Sequence, residues 1–121
     1  MMDKRNKNKF PSVKIYHPVS YVGMDEKNRI VEQQMGIALG VSQNKVLIET
    51  ACIAKSKSLI LTAIDHRNNS IDIQATVLYS KRGRAQKYIT VVSFQGSHSE
   101  KIEFTKKVIQ AFYWQKSGGN E

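Results

Sequence analysis

The sequence lacks most of the residues that mark a disulfide-stabilised or membrane-spanning protein. Its 121 residues include one cysteine, Cys52, so no intrachain disulfide and no multi-cysteine metal site can form. The apolar neighbours of Cys52 predict a buried thiol and a reducing compartment. No apolar run approaches the ~18 residues that cross a bilayer, and the charged start leads into no apolar segment. We therefore predict a cytoplasmic protein without membrane insertion.

Catalytic and metal-binding motifs are also absent from the sequence. His17, His66 and His98 are far apart in the chain, and no paired-cysteine, G-x-S-x-G or G-x-x-x-x-G-K spacing occurs. Each histidine is expected to lie on the surface or in a turn. We predict a protein that is not an enzyme, has no catalytic residues, and holds no metal ion or cofactor of its own.

Acidic residues are scarce, and the excess positive charge is concentrated in two segments. Ten Asp and Glu face nineteen Lys and Arg, for a net charge of +9. Residues 1–14 hold five bases and one acid, and residues 81–87 hold four bases and no acid. Guanidinium groups bind phosphates and the edge of guanine through paired hydrogen bonds, so clustered Arg suits a nucleotide. A solvated basic loop would give the same pattern at 81–87.

Two alternating apolar runs meet at a polar turn between residues 35 and 50. The period of 2 predicts a β-hairpin, with Ser42-Gln43-Asn44 as the turn and Asn44 at positive φ. One face of the hairpin comprises Met35, Ile37, Leu39, Val41, Val46 and Ile48. The small residues Gly36, Ala38 and Gly40 form the second face, which is predicted to allow close approach of a ligand or another backbone. A strongly bent barrel strand would explain these small residues equally well.

The rest of the chain adds further strands and one helix. Alternation predicts strands over 13–21, 58–64, 71–80 and 87–94, with Pro18 interrupting the first or placing it at an edge. After Gly96 the period changes to about 3.6, which predicts a helix over 97–116 with a Ser97/Glu100 capping box. The predicted helix stripe is Ile102, Thr105, Val108, Ile109, Phe112 and Tyr113. The predicted barrel core is Ile37, Leu39, Val46, Ile48, Ile73, Val77 and Val92.

These elements predict a mainly β fold, a six-stranded antiparallel β-barrel with one C-terminal α-helix. Closure of the barrel would remove the edges that an open six-stranded sheet exposes. The length suits a single domain over 1–121. Residues 1–9 are predicted to be a basic flexible arm, because they contain nothing that could form a packed core.

Two motifs in this order of elements resemble those of the PilZ domain family. A PilZ domain carries R-x-x-x-R before its first strand, where this chain has Arg5 and Lys9. It also carries D-x-S-x-x-G at a strand end, where this chain has Gly40, the matching Ser42, and Lys45. The stretch VLYSKRGRAQKYITVVSFQG resembles the last two strands of the family, so the resemblance covers nearly the whole chain.

The resemblance implies a six-stranded β-barrel receptor for cyclic di-GMP. Arg5 and Lys9 would contact its phosphates and guanine, and Ser42 a second guanine face. Supporting contacts are predicted from Gly40, Lys45, Arg82 and Arg84. The motifs lack one carboxylate, at Gly40, and one bidentate guanidinium group, at Lys9. Each missing contact costs ~1 to 3 kcal/mol, so binding is expected to be weak.

Three functions therefore stay open at the level of sequence. The first is a non-enzymatic signalling module that binds cyclic di-GMP. The second is a ligand-independent adaptor that binds a protein partner in bacterial motility, pilus or surface-polymer regulation. The third is a nucleic-acid-binding small barrel that uses Tyr79 and Tyr88, although aromatic residues on alternating strands more often belong to a core. A protein partner is expected, and nucleic acid is the least expected partner.

Overall fold

Strands with apolar residues at alternate positions form the body of the molecule. The computed structural model describes residues 13–117, which form a closed antiparallel barrel of six strands with a helix at one end. The strands are β1 (Val13–Met24), β2 (Ile30–Val41), β3 (Lys45–Thr50), β4 (Ser58–Ile64), β5 (Ser70–Arg82) and β6 (Tyr88–Phe94), and the helix is α1 (His98–Lys116). The barrel closes because β1 pairs with both β2 and β4, in the order β1-β2-β3-β6-β5-β4.

The predicted fold class is therefore confirmed. The basic arm at residues 1–9 lies outside the described residues, and the single domain over 1–121 stays a prediction. No helix within residues 13–117 combines the length and the apolar character that a bilayer crossing requires.

The barrel interior is filled by the inward side chains of all six strands. Of the predicted core, Val46, Ile48, Ile73 and Val92 are buried, and Val77 is partly buried against them. These residues follow the period of 2 that predicted them. The core prediction is wrong for β2, because that strand turns its other face inward.

Between residues 35 and 38 of β2 the small residues Gly36 and Ala38 lie on the inner face, and the large ones point outward. Ala38 is fully buried, whereas Met35 is 75% exposed and Ile37 and Leu39 are half-buried. The alternation was correct, but the assignment of its two faces was not. Apolar character alone selected the wrong face, because both faces of this strand lack charged residues between 35 and 41.

Steric contact explains why the small face is the inner one. A Cβ atom at Gly36 would lie 2.5 Å from the carbonyl oxygen of Glu49 and 2.9 Å from the Cγ2 atom of Ile48. A larger side chain at this point would collide with β3. The register between β2 and β3 then shifts at Leu39, so Val41 lies in the interior.

Strand β1 continues through Pro18, so of the two predicted alternatives the edge position is confirmed and the interruption is not. Pairing with β4 begins at Val19, the residue after the proline, which places Pro18 at an edge on that side. The inward period of β1 also buries His17, which is 2% exposed. Its Nε2 atom lies 3.1 Å from the carbonyl oxygen of Ile64, and its buried Nδ1 atom has no hydrogen-bond partner among residues 13–117. The expectation of a surface or turn position is therefore wrong for His17.

Cys52 is exposed, which corrects the predicted buried thiol. Strand β3 ends at Thr50, so the apolar residues that follow lie in an irregular segment rather than in the barrel wall. This segment is fixed by Glu32, whose carboxylate accepts hydrogen bonds from the backbone N–H groups of Lys55 (3.0 Å) and Ser56 (2.7 Å).

Two turns of the barrel share one construction, in which an aspartate accepts backbone hydrogen bonds. Asp25 Oδ1 accepts from residues 27 and 29, and Asp65 Oδ1 accepts from residues 67 and 69. Asn28 and Asn68 occupy the positive φ positions of the two turns, at 63° and 68°. These N–H donors, above all those of Arg29 and Asn69, hold the pKa of both carboxyl groups below the usual value.

The lowered pKa values predict an acid-sensitive contribution to stability. It is present above the unfolded pKa of about 3.9 and is lost as the pH falls through the folded pKa. The double variant Asp25→Asn/Asp65→Asn should therefore have a lower free energy of unfolding than the parent protein at pH 7, and this difference should be larger at pH 7 than in acid. Urea unfolding at pH 7 and pH 3 should show that this difference shrinks in acid. A difference that stays constant would contradict the role of the carboxylates.

The β5–β6 turn places two ordinary residues in a left-handed conformation. Ala85 and Gln86 have φ of 53° and 62°, and Lys87 N–H donates to the carbonyl oxygen of Arg84 at 2.9 Å. Two successive positive φ values match a type I′ turn, which strongly favours Asn-Gly. The sequence did not predict a left-handed pair here.

Replacing this pair should stabilise the protein. Each non-glycine residue in the left-handed region costs ~1 to 2 kcal/mol, so Ala85→Asn/Gln86→Gly should raise the free energy of unfolding by ~1 to 2 kcal/mol after the added entropy of glycine. Ala85→Val is the matched opposite, because a β-branched residue tolerates positive φ least and should lower stability. Urea unfolding measures both, and an unstable Asn-Gly variant would exclude the type I′ geometry.

Helix α1 begins as the sequence predicted and packs its middle against the end of the barrel. Ser97 is the N-cap, and its reciprocal hydrogen bonds with Glu100 confirm the capping box. The buried face is Phe104, Thr105, Val108 and Ala111. The predicted stripe is therefore correct for Thr105 and Val108 but wrong for Tyr113, which is exposed. Phe104 is buried as well, and its ring meets that of Phe94 with centroids 5.3 Å apart.

Candidate ligand site at the helix end of the barrel

A cleft of about 520 Å³ opens where α1 crosses the end of the barrel. The antiparallel register pairs Val13 with Val41, so the start of β1 lies beside the turn between β2 and β3. The middle of α1 forms the third wall. The lining residues are Val13, Val41, Ser42, Gln43, Ile102, Thr105, Lys106, Ile109 and Gln110. The volume falls within the range of small-molecule sites.

The turn beside the cleft is built on the side chain of Ser42. Its Oγ atom accepts hydrogen bonds from the backbone N–H groups of Asn44 (3.2 Å) and Lys45 (3.1 Å). The backbone N–H of Ser42 donates to the carbonyl oxygen of Lys45 at 2.8 Å. Asn44 does not have a positive φ, so that prediction is wrong. The hydroxyl group closes the turn and removes the need for a left-handed residue.

The helix is tied to this turn by a buried hydrogen bond. The Oγ1 atom of Thr105 donates to the carbonyl oxygen of Ser42 at 2.8 Å, and Thr105 is buried. The bond joins two segments that are 63 residues apart in the chain. The floor of the cleft is therefore held between the turn and the helix.

The charge of the cleft suits an anion. Lys106 contributes an ammonium group, and no carboxylate occurs among the described residues that line it. A larger cleft of about 720 Å³ lies along the first half of α1, where Asp72, Glu100 and Glu103 outnumber Lys107. Those three carboxylates would repel a nucleotide. The smaller cleft is therefore the better candidate for a phosphate ligand.

Three of the predicted site residues belong to this end of the barrel. Ser42 lines the cleft, Lys45 begins β3 directly after the turn, and Gly40 is buried in β2. Arg5 and Lys9 lie outside the described residues.

Arg82 and Arg84 belong to the opposite end. Arg82 pairs with Tyr88, and Tyr88 pairs with Thr50, the last residue of β3. The turn at Ser42 precedes the first residue of that strand, and the five steps along β3 span ~17 Å. The structure therefore does not bring the two arginines together with Ser42.

The sequence did not identify the helix residues of the cleft. Ile102 and Ile109 were assigned to the buried stripe, and no role at a ligand site was predicted for Lys106 or Gln110. Their shared role depends on where α1 meets the barrel, which the period of the helix does not specify. Within residues 13–117 no group of three or more His, Cys, Asp or Glu is placed to hold a metal ion.

Comparison with known proteins adds one structural neighbour. No family model matches the sequence, and no curated protein matches it. The solved structure of the Bacillus subtilis inhibitor of motility (MotI/DgrA) is similar to this chain with a TM-score of 0.58 and 11% sequence identity. The similarity covers 92% of this chain and 53% of that chain, so this chain spans about half the length of its neighbour. At this identity the comparison shows that the two proteins share a fold.

Proposed function

We propose that this chain is a non-enzymatic, PilZ-type signalling module that binds cyclic di-GMP weakly and acts on a protein partner in the cytoplasm. The observation that carries the proposal is the meeting of three elements at one end of the barrel. These are the start of β1, which continues the basic arm, the turn at Ser42, and a carboxylate-free cleft with Lys106. The similarity in fold to an inhibitor of motility supports motility control as the output.

The same geometry supports weak rather than tight binding. The Oγ atom of Ser42 already accepts two backbone hydrogen bonds, which leaves it little capacity for a ligand. Gly40 offers no carboxylate, and Arg82 and Arg84 lie at the far end of β3. The remaining ionic contacts would come from the arm and Lys106. Surface charges of this kind are screened over ~8 to 10 Å, so binding should weaken with salt.

Calorimetric titration with cyclic di-GMP tests this proposal. Lys106→Glu should lower the affinity about tenfold or more, because it replaces attraction to a phosphate with repulsion. Lys107→Glu is the matched control, because Lys107 is adjacent in the helix but lines the other cleft. The affinity of this variant for cyclic di-GMP should stay within about twofold of the parent protein. Binding of the parent protein should also fall between low and high salt. Tight, salt-independent binding that Lys106→Glu or Arg5→Ala leaves unchanged would overturn the proposed site.

The second candidate is an adaptor that has lost the ligand. The engagement of the Ser42 hydroxyl group within its own turn favours this alternative. Deleting the gene in its native host and measuring swimming tests the output separately from the ligand. If deletion alters swimming and the Lys106→Glu variant fully restores it, the result would indicate the adaptor. If this variant fails to restore swimming, the result would support the nucleotide-dependent module. Unchanged swimming on deletion would exclude motility control.

A further inference from the structure

A band of apolar side chains crosses the outer face of four neighbouring strands. We call it the apolar belt, and it consists of Ile37, Leu39, Leu47, Ile89, Val91 and Tyr79. The strand registers make it continuous across the barrel wall. Leu47 pairs with Val91, and Val91 pairs with Tyr79. Ile37 and Ile89 both pair with Glu49, so one carboxylate lies on the same outer face between these two residues.

The belt faces away from the barrel interior. Leu47 lies between the buried residues Val46 and Ile48, so the strand period directs it outward. None of the six belt residues belongs to the interior core or packs against it. Val91 is nevertheless only 4% exposed, so its neighbours on the outer face cover it. Around Val91 the belt is therefore a packed apolar surface rather than a set of scattered residues.

The belt is bordered by further exposed apolar side chains. Met35 is 75% exposed, and Tyr16 and Leu78 are also exposed. An antiparallel sheet with one face on a core normally carries polar residues on its other face. Contiguous apolar surface on a monomer marks a site of interaction more often than isolated exposed residues do.

One end of the belt carries concentrated positive charge. We call Lys81, Arg82, Arg84 and Lys87 the basic tip, since they surround the β5–β6 turn. Lys81 pairs with Ile89 of the belt, so the two surfaces are continuous. Residues 73–99 contain no Asp or Glu, so nothing nearby in sequence neutralises the tip. A partner that covers both surfaces would need apolar side chains with carboxylates at one edge.

We propose that the belt and the basic tip together bind a protein whose contact face is apolar and acidic at one edge. This rests on the proposed function, which requires a protein partner, and it specifies the surface and the chemistry of that contact. A second copy of the chain fits less well, because its own tip would add bases without acids. Nucleic acid also fits less well, because the belt is largely aliphatic. In addition, the Nζ atom of Lys81 lies 5.7 Å from the centre of the Tyr79 ring, and the Cζ atom of Arg82 lies 5.9 Å from the centre of the Tyr88 ring. These cations therefore cover ring faces on which a base would have to stack.

A pair of synthetic amphipathic peptides tests the proposal. Each would be a helix of about five turns with a leucine face, flanked along one edge by Glu in the first peptide and Lys in the second. The Glu peptide should bind the full chain and shift the methyl resonances of Leu39, Leu47 and Val91. The Lys peptide should bind about tenfold more weakly or not at all. Equal binding of both peptides would overturn the role of the tip.

Variants then locate the contact. Leu47→Lys and Tyr79→Lys should each lower the affinity for the Glu peptide about tenfold, since both place a charge within the belt. Ile30→Lys is the control, because Ile30 is exposed and apolar but lies outside the belt. Circular dichroism of each variant shows whether it is folded. If Leu47→Lys is unfolded, Tyr79→Lys still tests the contact.

Other outcomes would overturn the inference. Concentration-dependent association in sedimentation that Leu47→Lys abolishes would assign the belt to a second copy. Binding of a single-stranded oligonucleotide that Tyr79→Lys weakens would assign the surface to nucleic acid. Cyclic di-GMP affinity should be the same in Leu47→Lys as in the parent protein, because the proposed nucleotide site is at the other end of β3. Loss of peptide binding with retained nucleotide binding therefore separates this surface from the proposed nucleotide site.

Discussion

Gly36→Val should destabilise the protein by ~3 kcal/mol or more, because it forces a side chain into the interface between β2 and β3. The added Cβ atom alone would approach the carbonyl oxygen of Glu49 to 2.5 Å, and backbone cannot move aside as a flexible side chain can. The two γ-methyl groups of valine would crowd the position further. Urea unfolding should therefore show a much lower midpoint, or the variant should fail to fold.

The adjacent residue provides a matched control for this prediction. Met35→Val introduces the same side chain one position earlier, on the outer face, where Met35 is 75% exposed. Its free energy of unfolding should stay within about 0.5 kcal/mol of the parent protein. The opposite result, with Gly36→Val tolerated and Met35→Val damaging, would mean that the large residues of β2 face inward after all.

Ile48→Ala should cost ~2 to 5 kcal/mol, because Ile48 is fully buried and its truncation leaves a cavity in the barrel interior. Ile48 pairs with Ala38 on one side and Thr90 on the other, so small neighbours cannot fill the space. The reduced midpoint should appear in urea unfolding with an unchanged slope, as expected for a loss of stability without a change in compactness.

Leu47→Ala is the control for the core truncation. Leu47 is adjacent in β3 but half-buried on the outer face, so its loss removes less apolar contact and leaves no closed cavity. It should cost less than half as much as Ile48→Ala. A cost for Ile48→Ala below about 0.5 kcal/mol would place that residue outside the core and contradict the strand register.

The features that the sequence predicted well are those that one local pattern determines. Strand β4 has the predicted bounds, because its alternation is flanked by polar turns. The helix begins at its capping box, since Ser97 and Glu100 make reciprocal hydrogen bonds over three residues. The barrel followed from the number of alternating segments and the single change of period near Gly96.

The features that the sequence predicted poorly depend on contacts between distant segments. The inner face of β2 is determined by the approach of Glu49 and Ile48 to Gly36, which hydropathy does not report. His17 is buried because β1 turns it inward, where it meets the carbonyl group of Ile64. Cys52 is exposed because β3 ends two residues before it.

The residues of the candidate site also fall into those that a local pattern predicts and those that depend on distant contacts. Ser42 could be identified from its motif, because the residues of a turn are adjacent in the chain. Lys106 could not, because its position beside Ser42 depends on the hydrogen bond from Thr105 across 63 residues. Arg82 and Arg84 were grouped with Ser42 only because they are positively charged. The strand register places them at the opposite end of the barrel.

The most direct test of the proposed nucleotide site is a titration with cyclic di-GMP followed by amide resonances in NMR spectra. Our account predicts gradual shifts, as expected for weak binding, at Val13, Gln43 and Lys106, with no shifts at Arg82 and Arg84. It also predicts that added salt reduces these shifts at a fixed ligand concentration. Shifts confined to the β5–β6 turn, or no shifts at millimolar ligand, would contradict the assignment of the nucleotide to the helix end of the barrel.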